Sequence, residues 1–168
     1  MLLGSNQAFK NTPIKSETEL IAQLIGQSRF SEAYLLLKSE ASDKTETQYN
    51  LALCYYWIAN YREALICLDK AHLFMPVNHS KTNPVNDSFY KALREKQNDL
   101  DDHLLPITHK HVELTYPMVA DGIVRLKTDC WLKLGEYQKV IDIATPIAYK
   151  GFKNINEAIS IAKQNLKK

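Results

Sequence analysis

The chain has 168 residues, 45% hydrophobic and 24% charged, with a net charge of +2. That length suits one domain or one compact repeat array, and that composition is ordinary for a globular chain. The net charge is too small to imply nucleic acid or anionic lipid by bulk electrostatics.

Residues 1–15 read as a loose arm. They carry no basic leader region, their apolar run is short, and no stretch of the chain reaches membrane-span length. The expectation is a cytoplasmic protein. Cys54, Cys67 and Cys130 are odd in number, lack metal-ligand spacing and fall inside apolar helical patterns, so they read as small buried hydrophobes in a reducing compartment.

The first helix is announced by Ser16-x-x-Glu19, a capping-box pattern, followed by Leu20, Ile21, Leu24 and Ile25 at helical spacing. Phe30 to Glu40 forms the second. Thr45–Ile58 and Tyr61–Phe74 are two stronger helices joined by a turn near Ala59-Asn60, and Pro76 stops the second of them. Residues 77–86 read as a loop.

Asp87-Ser88 can cap a helix running to about Leu105, with Phe89, Leu93, Leu100 and Leu104 on one stripe. Pro106 ends it. In 107–116, Val112, Leu114 and Tyr116 alternate, which suits a short extended segment. Pro117 opens a helix to about Leu134. Gly135 makes the turn, Glu136–Lys150 forms the next helix, and Gly151 ends it. A last helix from about Asn154 puts Ile155, Ala158, Ile159, Ala162 and Leu166 on one face, with the other face polar.

The turns share a dress: Arg29-Phe30-Ser31-Glu32-Ala33, Asn60-Tyr61-Arg62-Glu63-Ala64 and Gly135-Glu136-Tyr137-Gln138-Lys139-Val140. Each sets a large residue three before a small or β-branched one. The large residue fills the wedge between diverging antiparallel helices, and the small one lets their backbones approach.

This pattern resembles the tetratricopeptide repeat (TPR), a helix–turn–helix unit of about 34 residues. Leu51, Ala52, Tyr55, Tyr61, Ala64, Leu68, Ala71 and Pro76 fit its positions, and Gln48 departs from the expected large residue. Ala33 and Ala64 lie 31 apart, so the first unit is shortened. Trp131, Gly135 and Tyr137 mark a degenerate unit, in which Lys127 and Thr128 replace a large–small pair. Ala64 and Val140 are 76 apart, so an insert intervenes.

The resemblance implies an all-α fold, an α-α superhelix of antiparallel hairpins. Its parts would be the arm (1–15), a shortened repeat (16–44), the best repeat (45–78), an irregular helical insert (79–116), a degenerate repeat (117–151) and a C-terminal capping helix (154–168).

Helical projection of residues 48–59 puts Gln48, Leu51, Ala52, Tyr55, Ile58 and Ala59 on one side. Tyr49, Leu53, Tyr56 and Trp57 fall on another. By resemblance, first helices of such repeats line a groove that holds partner segments. The implied groove residues are Tyr49, Asn50, Leu53, Tyr56 and Trp57, with Arg125, Asp129 and Lys133 from the degenerate unit. The alternative is that Tyr56 and Trp57 are buried against the insert helix 87–105. A carboxylate-gripping variant of the groove is not implied: Asn50 matches, but Thr18, Ala22, Gly122 and Leu126 occupy the other positions.

Phosphate loops, nucleophile elbows and HExxH are absent from the sequence, and neither a catalytic set nor a cofactor is expected. The resemblance implies a non-catalytic module that binds a peptide or helix of another protein, with no nucleic acid. A second reading is a structural subunit that self-associates. A remote third is a metal-dependent protein using Asp101-Asp102-His103 and His109-Lys110-His111, where His109 and His111 would share a side if extended.

Overall fold

The computed structural model describes residues 16–77 and 88–167. The expected arm at 1–15, most of the expected loop at 77–86 and the cap at Asp87 lie outside the described residues. Among the described residues every regular element is helical. The α-helices are α1 (Glu17–Gly26), α2 (Phe30–Ser39), α3 (Thr45–Trp57), α4 (Tyr61–Leu73), α5 (Ser88–Asn98), α6 (His109–Leu114), α7 (Tyr116–Lys133), α8 (Tyr137–Ala144) and α9 (Lys153–Asn165). None of these is long and apolar enough to cross a membrane.

Local chemistry sets the boundaries. The Glu19 N–H donates to Ser16 Oγ at 3.3 Å and starts α1. The helices then pack in the order α1, α2, α3, α4, α7, α8, α9, each on the next. Contacts of α1 with α3, and of α7 with α9, place alternate helices on one side. Fully buried alanines mark the close approaches: Ala33, Ala52, Ala64, Ala71, Ala144 and Ala162. One apolar core runs from Ile21 in α1 through Leu53 and Leu68 to Ile123, Leu126 and Cys130 in α7. Two smaller clusters, around Val140 and Phe152, seat α9.

Three hairpin turns share one backbone solution. Ser28, Ala59 and Gly135 are all left-handed, with φ of 60°, 60° and 73°. The next N–H in each turn donates to the carbonyl five residues back: Arg29 to Leu24 at 2.8 Å, Asn60 to Tyr55 at 2.9 Å and Glu136 to Trp131 at 3.0 Å. These bonds satisfy carbonyls that a helix end leaves bare. The following residue holds φ near −90° with ψ of 62° to 66°, and the next helix begins at Phe30, Tyr61 or Tyr137. The large residue named in each turn motif is therefore the first residue of a second helix.

Three expectations need correction. The helix predicted from 87 to about 105 ends at Asn98, because Asp99, Asp101 and Asp102 would set carboxylates on the negative end of the helix dipole. Its stripe is not core: Phe89, Leu93 and Leu100 are exposed, and Leu104 sits in a 3₁₀ turn, Asp102–Leu104. The segment 107–116 is not extended but forms α6, where the Thr108 N–H donates to His111 Nδ1 at 2.9 Å. A histidine takes the place that a Glu or Gln holds in the usual pattern. The helix predicted over 136–150 gives way to a 3₁₀ helix at Thr145–Lys150, since Pro146 has no N–H to continue an α-helix.

The three cysteines are buried and unpaired with one another. Burial pushes the Cys54 and Cys130 thiols up to about 12 and Cys67 to about 11. Thiolates are the reactive form, so a disulfide-exchange reagent at pH 8 should leave all three unmodified until the chain unfolds. Ala59 is an L-residue in a conformation that suits glycine, so Ala59→Gly should stabilise the fold by about 0.5–1 kcal/mol in urea denaturation.

Candidate functional site

Around Tyr49 and Asn50 the side of α3 expected to line a groove is covered, and the cover is the chain's own segment 99–108 between α5 and α6. An irregular segment brings carbonyls and N–H groups that no helix ladder satisfies, and burying them unpaired is costly. Helices α3 and α7 supply the partners.

Tyr49 is buried, and its hydroxyl donates to the His103 carbonyl at 2.6 Å. Asn50 pairs with both backbone groups of Ile107: its Nδ2 donates to the carbonyl at 2.8 Å, and its Oδ1 accepts the Ile107 N–H at 3.0 Å. Arg125, in α7, is buried with all three guanidinium nitrogens hydrogen-bonded. Its Nη2 donates to the Leu100 carbonyl at 2.6 Å, Nη1 pairs with Asp102, and Nε donates to Asn154 Oδ1 at 2.8 Å. The Phe152 ring lies 4.5 Å from its central carbon.

Side chains of the segment are held too. His103 is buried, and its Nε2 donates to Asp129 Oδ2 at 2.6 Å. A carboxylate only accepts, so that nitrogen carries the proton. Asn154, at the start of α9, donates to Asp129 Oδ1 at 3.0 Å. His109 of α6 lies 3.1 Å from the buried Glu46 of α3. The approach of Tyr49 to α7 depends on Gly122: a Cβ there would stand 3.0 Å from the Tyr49 hydroxyl. Burial pushes the Tyr49 phenol well above its ordinary range, so it remains a donor at neutral pH.

The expected groove residues therefore divide. Tyr49, Asn50, Leu53 and Arg125 are buried; Tyr49, Asn50 and Arg125 pair with the segment, and Leu53 belongs to the apolar core. Asp129 is mostly covered as the acceptor for His103. Lys133 is exposed at the end of α7. Trp57 and Tyr56 stay at the rim. Trp57 stacks on Phe30 of α2 with ring centroids 5.7 Å apart, and Tyr56 meets Trp57 and Tyr61 edge-on. The rings against them come from α2 and α4, not from the insert helix.

The histidines proposed for a metal are dispersed among different partners. His103 bonds Asp129, His109 bonds Glu46 and Glu113, and His111 bonds Thr108. Among the described residues no group of three His, Cys, Asp or Glu side chains is placed to hold a metal ion.

Sequence reasoning missed Gly122, Asn154 and Ile107 as members of this network. Gly122 alone left a signal, a glycine inside a long helix, where it weakens the helix unless a close approach requires it.

An open surface lies elsewhere. A hollow of about 630 Å³ is lined by Phe30, Tyr34, Leu35, Cys54, Tyr55 and Ile58, at the turn ends of α2 and α3. Leu35 is 70% exposed and Ile58 65%, and the half-exposed Trp57 adjoins it through Phe30.

Asn50→Ala strips partners from two backbone groups of Ile107. It should cost about 2–4 kcal/mol of unfolding free energy. Hydrogen–deuterium exchange should rise in 99–108 while α8 and α9 remain protected. Comparison of the chain with protein-family models, with curated proteins and with solved structures finds no match, so its own residues carry what can be said of its function.

Proposed function

We propose that the chain is a non-catalytic protein–protein interaction module built on TPR-like hairpins, and that its partner engages the hollow at the turn ends of α2 and α3. The TPR-like reading is supported by the common left-handed turn at Ser28, Ala59 and Gly135, by the sequential packing of helices, and by the buried small residues Ala33, Ala64 and Val140 after each turn.

The choice of surface rests on magnitudes. Clearing the segment 99–108 from α3 and α7 would break three neutral backbone contacts and the charged contacts of Arg125 and Asp129. At about 1 kcal/mol for each neutral bond and 1.5–3 for each charged one, that is on the order of 6–9 kcal/mol before any apolar area is counted. A partner that had to displace the segment would spend most of a micromolar binding energy doing so.

The hollow requires no such displacement. The single observation that carries this reading is the exposure of Leu35 and Ile58, two large aliphatic side chains at the mouth of an aromatic-walled depression. Contiguous apolar surface with aromatic walls is what interface centres use. Large apolar side chains of a partner helix or peptide would fill the depression between Tyr34 and Tyr55, with Trp57 and Tyr56 extending the contact. Self-association through the same surface is the second reading, favoured by the same exposed residues.

The double substitution Leu35→Glu with Ile58→Glu tests this. Both residues project into solvent, so the far-UV spectrum and melting should change little. Affinity capture with wild type should recover a partner that the double variant loses. A wild-type dimer in light scattering that becomes monomeric in the variant would instead establish self-association. Identical partners and identical mass for both proteins would reject the surface.

A further inference from the structure

The chain presents two exposed apolar shapes of opposite form. One is the hollow between α2 and α3. The other is a ridge on α5, where Phe89, Tyr90 and Leu93 are exposed, and exposed Leu100 lies just past the helix end. Leu93 stands four residues from Phe89 and three from Tyr90, so it neighbours both rings on the helix surface. No described helix lies along α5. A helix with apolar anchors at this spacing is what an apolar groove takes in.

The two shapes belong to different parts of the molecule. Every residue lining the hollow falls between Ser28 and Ile58. Helix α5 is instead held toward the C-terminal half: the Asn98 Nδ2 donates to the Lys150 carbonyl at 2.7 Å, and Arg94 and Gln97 stand near Val119 and Gly122 of α7. A molecule therefore does not fill its own hollow with its own ridge.

Their charges are of opposite sign. Helix α5 carries Lys91, Arg94 and Lys96 against the single Glu95, and none of the three cations has a carboxylate partner among the described residues. At the hollow, Arg29 is already paired with Glu32 at 3.0 Å. Glu63 is exposed and has no cation partner among the described residues. The Tyr55 phenol is held above its ordinary range by Tyr34 beside it, by burial and, in smaller part, by the Glu63 carboxylate, so that negative charge stands near the aromatic wall.

We infer that the hollow takes the α5 ridge of a second copy of this chain. The inference rests on the reading of the hollow as the docking surface and names its occupant. Leu93 and the flanking rings enter between Tyr34 and Tyr55, and the basic side chains of α5 come to lie toward Glu63, which favours encounter and fixes orientation. Ridge and hollow are different surfaces, so the contact is head-to-tail, and each molecule added leaves one of each still open.

Sedimentation equilibrium of the full chain from about 10 μM to about 1 mM tests this. The average mass should rise with concentration and pass that of two chains. Leu35→Glu with Ile58→Glu, which spoils the hollow, and separately Leu93→Glu, which spoils the ridge, should each weaken association about tenfold or more with far-UV spectra unchanged. Mixed in equal amounts, the two variants should pair and stop at two chains, because one keeps a hollow and the other a ridge. Association that survives in either variant, or variants that do not pair on mixing, would overturn the inference. A wild-type chain that stays single up to about 1 mM would overturn it as well. The hollow would then stand or fall on whether its double variant loses a different protein.

Discussion

The pairing of Asn50 with Ile107 is the constraint on which the middle of this molecule depends. Between α4 and α7 the chain abandons the regular hairpin rhythm and lays an irregular strip across two helices. Such a strip carries backbone groups that no helix ladder satisfies, and where they are covered each unmatched group costs more than a matched one gains. The amide of Asn50 answers one donor and one acceptor on the same residue. Tyr49 and Arg125 do the same for single carbonyls at His103 and Leu100. The part of the α3 face around Tyr49 and Asn50 is occupied by the strip, whose backbone finds its partners there.

The strip is one of several neighbours that bury polar residues at the start of α3. Thr45, Glu46, Thr47, Gln48, Tyr49 and Asn50 are all interior. Each has an assigned task. Thr45 reaches the Ala71 carbonyl, Gln48 the Ser42 carbonyl, Thr47 the Glu40 carboxylate and Glu46 the imidazole of His109. The buried N-terminal part of α3 must satisfy its polar groups within the protein, and it does so. Its second apolar stripe was the visible sign of a second partner; the identity of that partner was not visible.

What was legible in the sequence followed periodicity and turn chemistry. The pairs α1–α2 and α3–α4 were readable from apolar spacing, and the turn motifs fell where the left-handed residues occur. Polar recognition was not legible. Nothing near Asn50 in the chain points to Ile107, which lies 57 residues away, and nothing near Asn154 points to Arg125. The stripe Phe89, Leu93, Leu100 obeyed helical spacing yet is exposed, because spacing reports an amphipathic pattern and not what covers it. Pro146 was a local signal that outweighed the apolar rhythm around it.

The bonds that converge on Asn154 have a bearing on how the array comes apart. Stacked hairpins touch only their neighbours, so linear arrays tend to fray from an end one unit at a time. Here one side chain of the terminal helix joins Arg125 and Asp129, and through them the crossing strip and α3. A tie that spans non-neighbouring layers makes the loss of the last helix felt in the second hairpin. Loss of the last helix would therefore remove bonds beyond those to its sequential neighbour, although the helices are laid out in single file.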